Sequence, residues 1–264
     1  MSRGFLWFAQ NNNDTDYVEM SIELARSIKR HNTENKICVI TDEKSKFESQ
    51  HVDMVKVLQK DDSAEHEIKW ANEYKAFALT PFTHTIKLEA DMLWTINTDW
   101  WWHHLGQHNL VFSVDCFDYR SNIVKDTMYR KLFVRNYLPN IYNGLMYFRR
   151  SKEAQKFYKI AESIVQNWQQ VKSQILVACH DEYPSTDVVF ALAYRIMDPT
   201  ATDLIDYDWF KFIHNKADVN GLSRFANHND YLMPNISEDK IYVGETRVSR
   251  VGHYHDKELH ARNI

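Results

Sequence analysis

Two acids one residue apart, Glu89 and Asp91, follow the apolar run Thr85-Ile-Lys-Leu88, and apolar residues resume at Met92-Leu-Trp94. An unpaired charge at the end of a buried strand is costly. The pair therefore calls either for solvent, as at an ordinary strand end, or for a cation. In an extended chain residues i and i+2 point to the same side, so both carboxylates could grip one hard divalent ion, Mg²⁺ or Mn²⁺, with phosphate oxygens filling other positions. Such an ion would neutralise a leaving diphosphate as a Lewis acid.

Other segments offer complementary chemistry. In Val251-Gly-His-Tyr-His-Asp-Lys257, His253 could complete a metal site through a ring nitrogen and Lys257 could hold a phosphate as a point charge. Thirteen histidines make any one of them ordinary, so a polar tail is the alternative. Asp187 opens the apolar helix after Pro184-Ser-Thr and suits a first turn whatever else it does. None of the six glycines forms a G-x-G-x-x-G or Walker loop, so the usual backbone cradle for phosphates is missing. A bound nucleotide would need its counter-charge from elsewhere, and a metal on Asp91 would supply it. From Asp118 to Arg150 seven Lys and Arg face only two Asp, inside a chain of net charge −4. That stretch reads either as a solvated face or as a local patch for phosphates.

The elements that must position these residues alternate between strand and helix. Gly4–Ala9 reads as a first strand, and Gln10–Asp14 as a polar turn. Tyr17, Met20, Ser21, Leu24, Ala25 and Ile28 recur at helical spacing, with Asp16 and Glu19 as a capping box and Lys29, Arg30 and His31 at the far end. Lys36–Thr41, Val52–Leu58 and Thr85–Leu88 read as strands, and His66–Thr80 as a helix stopped by Pro81. Asn109–Asp115 and Asn143–Phe148 are strand-like, while Lys152–Trp168 and Thr186–Met197 are helical. Pro199–Ile264 shows few clear elements. This alternation predicts an α/β domain with a mostly parallel sheet, whose ligands sit beyond the carboxyl ends of the strands. Glu89 and Asp91 lie at such an end, and so does the turn after strand one.

A chain of 264 residues fits one large domain. No stretch is long enough for a membrane span, and Phe5-Leu-Trp-Phe8 is too short for the apolar part of a signal peptide. Cys38, Cys116 and Cys179 are far apart and read as reduced thiols of a cytosolic protein. A slightly negative net charge argues against a wholesale nucleic-acid binder.

In their order along the chain these segments resemble the metal-dependent glycosyltransferases of the GT-A fold, and in particular the glycogenin-like retaining family. The resemblance rests on Phe8-Ala-Gln-Asn11, on Lys75 before the acid motif, on Glu89-Ala-Asp91, on Tyr142-Asn143-Gly144, on Asp187, and on His253-Tyr-His-Asp with Lys257 behind. Glu89 stands where that family has Asp, and Asp256 where it has Gly. A further likeness, to glycosyltransferase-like proteins of tailed bacteriophages, rests on Leu88-Glu-Ala-Asp-Met, Asp99-Trp-Trp-Trp, Leu138-Pro-Asn-Ile-Tyr-Asn, Tyr147-Phe-Arg-Arg-Ser and Thr186-Asp-Val-Val.

The resemblance implies one GT-A domain with a Rossmann-like, mostly parallel sheet and helices on both faces. Residues 1–115 would bind the nucleotide sugar; residues 116–264 would carry the acceptor half and a C-terminal metal and diphosphate segment. It implies transfer, with retention, from a UDP-sugar with the help of Mn²⁺ or Mg²⁺. Asp91, His253 and Glu89 would hold the metal. Ala9, Gln10, Asn11, Tyr17, Lys75, Glu89, Ala90 and Lys257 would contact the nucleotide sugar, and Asn143 and Asp187 would face the chemistry. Some phage transferases of this kind decorate 5-hydroxymethylcytosine in DNA with glucose or arabinose. On that reading Arg120, Arg130, Lys131 and Arg135 would contact DNA phosphates, and Trp94 or the Trp100 cluster would stack on a flipped base. A protein or surface-glycan acceptor is the other enzymatic expectation. A non-catalytic DNA- or sugar-binding module is the expectation from another class.

Overall fold

The computed structural model describes residues 2–32, 34–63, 68–125, 127–221, 234–237, 240–243 and 245–254. In chain order the elements are β1 (Arg3–Phe8), α1 (Tyr17–His31), β2 (Lys36–Thr41), β3 (Met54–Val57), a 3₁₀ helix (Lys69–Lys75) running into α2 (Ala76–Leu79), β4 (His84–Leu88), β5 (Met92–Leu93), α3 (Trp101–Leu105), β6 (Leu110–Val114) and α4 (Lys131–Arg135). They continue with β7 (Ile141–Arg149), α5 (Lys152–Gln166), α6 (Trp168–Gln174), α7 (Thr186–Met197), β8 (Ile213–Asn215), β9 (Pro234–Ser237), β10 (Lys240–Val243), β11 (Thr246–Val248) and β12 (Gly252–Tyr254).

Six strands form the central sheet in the order β3-β2-β1-β4-β7-β6. The first four run parallel, and β7 runs antiparallel between β4 and β6. Alternation along β1 sends Leu6 and Phe8 to one face and Phe5 and Trp7 to the other. Leu6 and Phe8 join a core with Phe157, Ala161, Phe190 and Ala191 of α5 and α7. Phe5 and Trp7 join a second core with Leu24 and Ile28 of α1 and Trp101 of α3. Helices therefore cover both faces, as the near-continuous apolar strands require.

Local signals explain the boundaries. Asp16 caps α1 by accepting from Glu19 N at 3.0 Å, and Lys29, Arg30 and His31 fill its last turn. Ser151 and Ser185 cap α5 and α7 in the same way. Thr80 is extended ahead of Pro81 and ends α2. The start of the expected His66–Thr80 helix lies outside the described residues, and from Lys69 on it is a 3₁₀ helix followed by one short α turn. The tail read as poor in structure holds two small sheets, β11-β10-β9 and β5-β12-β8. Their strands are three or four residues long in the tail, too short to show periodicity. Among the described residues no helix is long and apolar enough to cross a membrane.

Candidate metal centre and donor cavity

The sheet order brings three segments to one edge. β1 and β4 are parallel neighbours, so Gln10 and Glu89 leave the sheet on the same side. β7 runs the other way and pairs Leu145 with Leu88, so Asn143 and Gly144 enter beside Glu89. Strand β12 closes the arrangement from far along the chain. His253 pairs with Met92 of β5, and Tyr254 N donates to Asp91 O at 3.0 Å. That ladder sets the His253 ring against the two acids.

His253 Nε2 lies 3.1 Å from Asp91 Oδ1 and 3.4 Å from Glu89 Oε2. One ligand atom from each of the three residues lies within 4.8 Å of the others. Two carboxylate oxygens and one imidazole nitrogen are the donor set that Mn²⁺ or Mg²⁺ accepts, with positions left for phosphate or water. His214 stacks on the His253 ring at 4.9 Å and Phe212 packs edge-on at 5.7 Å, fixing its plane. Burial pushes the Glu89 carboxyl up to about 7; His253 and Lys87 pull against this, while Glu73 and Asp91 add to it. Glu89 is thus a carboxylate whose charge the protein alone does not fully compensate, as a cation ligand should be.

Behind the cluster lies a buried network. Lys87 is fully buried on β4, and its Nζ donates to Glu73 Oε2 at 2.6 Å and to Asn143 O at 3.3 Å. Asn143 Nδ2 donates to Glu73 Oε2 and, at 3.2 Å, to Glu89 Oε1. Gly144 is needed for this approach, because a Cβ there would stand 2.8 Å from Glu89 Oε2.

Asp187 reaches the same edge from the first turn of α7. Its Oδ1 accepts from Asn143 N at 2.7 Å and its Oδ2 pairs with Arg130 Nη2 at 2.9 Å. Arg130 is buried, lies over the Phe133 and Tyr142 rings, and also donates to Asn140 Oδ1 and Ile141 O. This corrects the expectation of Arg130 as a DNA contact: its guanidinium is spent on orienting Asp187 and the start of β7. Arg120, Lys131 and Arg135 are exposed. The stacking expectation is corrected too. Trp94, Trp101 and Trp102 are core residues, and half-exposed Trp100 packs on Trp209 and His104 rather than on the cavity.

A cavity of about 280 Å³ opens at this edge, lined by Gln10, Tyr17, Lys69, Trp70, Glu73, Glu89, Ala90, Asp91, Asp187 and His253, among others. Gln10 is buried, donating to Asp42 and Asp61 and accepting from Asn72 Nδ2 at 2.9 Å. Ala9 and Asn11 do not line the cavity. Ala9 is tied to Ile40 and Thr41, and Asn11 Oδ1 accepts from Val18 N at 2.9 Å at the start of α1. Lys75 also points elsewhere, to Lys60 O, Asn72 Oδ1 and Asp62. Trp70 and Glu73, three apart and so on one side of the 3₁₀ helix, line the cavity, whereas Lys75 is held away from it by these partners. Lys69 is the cation that this segment brings to the cavity. Lys257 and Asp256 lie outside the described residues. Reading the sequence missed Glu73, Lys87, Lys69 and Trp70; a Lys in the middle of an apolar strand was the one available signal.

The sequence matches no protein-family model. It matches no curated protein either. The fold does have counterparts among solved structures. It is similar to galactosyltransferase LgtC in complex with donor and acceptor sugar analogs, at 14% identity and a TM-score of 0.51 over 95% of this chain and 86% of that one. It is similar to the apo form of glycosyltransferase GlyE of Streptococcus pneumoniae TIGR4, at 12% identity and a TM-score of 0.50, covering 98% of this chain and 55% of that one. It is also similar to an active-site mutant of LgtC, at 13% identity and a TM-score of 0.51, over 95% of this chain and 86% of that one. The architecture is thus the LgtC-type GT-A fold, a mostly parallel central sheet covered by helices.

Proposed function

We propose that this protein is a metal-dependent glycosyltransferase that uses a UDP-sugar. The observation that carries the reading is the meeting of Glu89, Asp91 and His253 within 4.8 Å at the carboxyl edge of a GT-A-type sheet, beside a cavity lined by polar and aromatic side chains. Two segments far apart in sequence, Glu89-Ala-Asp91 and His253, bring three hard-cation donors together there, which a solvated strand end would not require. Asp91, His253 and Glu89 would hold Mn²⁺ or Mg²⁺. When bound, such an ion offsets the charge on a diphosphate leaving group. Gln10 and Tyr17 would shape the base and ribose end, with Lys69 in place of the expected Lys75. Asn143, buried behind the cavity wall, would position Glu73, Glu89 and Asp187 rather than face the sugar as expected. Asp187, fixed by Arg130 and Asn143 N, lines the cavity and would orient the acceptor hydroxyl. Retention of configuration is what the glycogenin-like resemblance implies. The two halves, 1–115 and 116–264, act on this reading as one domain.

For the acceptor we propose 5-hydroxymethylcytosine in DNA, supported by the phage-type sequence resemblance and by exposed Arg120, Lys131 and Arg135. A glycan acceptor is the second reading. Trp70, 45% exposed at the cavity, offers a flat apolar face of the kind sugar rings stack on.

The test is thermal unfolding with UDP, with and without Mn²⁺, for the wild type and Asp91→Ala. Ligands that bind only the folded state raise the midpoint by mass action. The expected result is a strong shift with UDP and Mn²⁺ together that Asp91→Ala abolishes. No shift in the wild type under any combination overturns the reading.

A further inference from the structure

Glu73 is not needed for the cation cluster, yet it sits on the cavity wall with its charge already compensated from behind. Lys87, with no exposed surface, supplies that counter-charge at 2.6 Å. A buried ion pair contributes little net stability over a packed apolar pair, so its presence in the interior of a largely apolar sheet asks for another reason. Only Oε2 of Glu73 is engaged, by Lys87 Nζ and Asn143 Nδ2. Oε1 has no hydrogen-bond partner among the described residues, although the residue lines the cavity. An ionised carboxylate accepts and does not donate, so what meets Oε1 must be a donor. A diphosphate offers acceptors and no donor, and belongs on the cation side.

On the donor-site reading above, we propose that Glu73 is the specificity-determining residue for the transferred sugar. Its Oε1 accepts from sugar hydroxyls, Lys87 is its positioning residue, and the sugars taken are neutral polyols rather than uronic acids. Asn143 Nδ2 bridges Glu73 Oε2 and Glu89 Oε1, which holds this carboxylate next to the cation cluster, where the sugar attached to a bound diphosphate has to lie. The arrangement separates two anionic jobs in one cavity: one pair of acids for the cation and one acid, electrically pre-balanced, for hydroxyls. A carboxylate on the sugar would offer Oε1 an acceptor where it needs a donor, and so be disfavoured.

Calorimetric binding with Mn²⁺ present tests this with UDP, UDP-glucose, UDP-galactose, UDP-xylose and UDP-glucuronic acid. The wild type should bind at least one neutral UDP-sugar about tenfold or more better than UDP-glucuronic acid. Glu73→Gln should leave the affinity for UDP itself within about twofold, while the affinity for that neutral sugar relative to UDP falls about tenfold, the range for a hydrogen bond to a charged group. Glu73→Gln/Lys87→Met removes both charges at similar volume. It should show the same loss and guards against a single variant that folds poorly. Folded variants that bind UDP normally and keep the wild-type order and spread of sugar affinities overturn the assignment. So does a wild type that prefers UDP-glucuronic acid. A wild type that binds no UDP at all defeats the donor reading itself, and with it this one.

Discussion

Two groups of carboxylates flank the cavity, and their contrast separates structure from function. Asp42, Asp61 and Asp62 lie toward the Gln10 end. Asp61 by itself accepts from Ser63 N, Ser63 Oγ, Asn72 Nδ2 and Gln10 Nε2 at 2.6–3.1 Å. Asp42 accepts from Ser45 and Gln10, and Asp62 from Tyr74 and Lys75. Burial opposes their ionisation, but these donors outweigh it, and all three carboxyls are held below the ordinary range. Glu89, on the other side, receives one amide hydrogen bond and has acids as neighbours, and burial pushes it up. Carboxylates are completed by protein donors in one place and, on the metal-site reading, left for an external cation in the other.

The sharpest way to break that contrast is one substitution on each side. Asp91→Asn should cut metal-dependent transfer roughly a thousandfold, the several kcal/mol that a lost metal ligand represents. It should leave the metal-free protein as stable as the wild type or slightly more so, because it relieves like-charge repulsion. Asp61→Ala should do the reverse. It strands four donors and should cost about 2–3 kcal/mol in urea unfolding, while the Mn²⁺ affinity of the folded protein stays close to wild type. Equal destabilisation by both would mean that the Glu89–Asp91 pair is structural after all.

Acid response sharpens the contrast further. Groups with depressed folded-state pKa stabilise the fold above their unfolded values and lose that contribution as pH falls through the folded values. Asp42, Asp61 and Asp62 therefore place a loss of stability below about pH 4. Glu89 has the opposite sign. Its folded-state pKa of about 7 lies above the unfolded value, so metal-free protein is most stable below about pH 4.3 with respect to this group and loses stability as pH rises through 7. In chelator, the unfolding midpoint should rise as pH is lowered from about 8 to 5 and then fall below about 4. Saturating Mn²⁺ should abolish the upper limb, since metal and proton compete for the same carboxylate. A flat profile from about pH 5 to 8 in chelator would place Glu89 among the satisfied acids.

Much of this architecture was legible in the sequence because it depends on local signals. The apolar runs of β1, β2 and β4, the cap at Asp16 and the helix at Thr186–Met197 each follow from a few neighbouring residues. The candidate cluster was legible as residue types, since Glu89 and Asp91 sit where a strand must end. Its geometry was not. His253 arrives through a three-residue strand whose pairing with β5 leaves no periodicity in the chain. Lys75 was the natural cation to expect before the acid motif, but Lys60 O, Asn72 Oδ1 and Asp62 hold it, and Lys69, Trp70 and Glu73 line the cavity instead. Arg130 looked like part of a surface patch because charge along a chain says nothing about burial. It was drawn inside by two aromatic rings and by Asp187, 57 residues away.

The smallest effect worth seeking comes from a pair of glycines in the same sheet. At Gly144 an added Cβ would meet the end of the Glu89 side chain, 2.8 Å from Oε2 and 3.3 Å from Cδ, with Phe212 at an ordinary 3.8 Å. The end of a flexible side chain yields cheaply, so Gly144→Ala should cost under about 1 kcal/mol of stability. It should nevertheless swing Glu89 off the cluster and weaken Mn²⁺ binding several-fold. At Gly4 the obstacles are the Lys36 carbonyl oxygen at 2.6 Å and the Phe82 ring, closer still. Backbone and packed ring cannot step aside, so Gly4→Ala should cost about 1–3 kcal/mol and leave Mn²⁺ binding of the folded fraction unchanged. Titrating Mn²⁺ into both variants and unfolding both in urea separates the two effects. If Gly144→Ala binds Mn²⁺ as tightly as the wild type, Glu89 is not a ligand, and the centre reduces to Asp91 and His253.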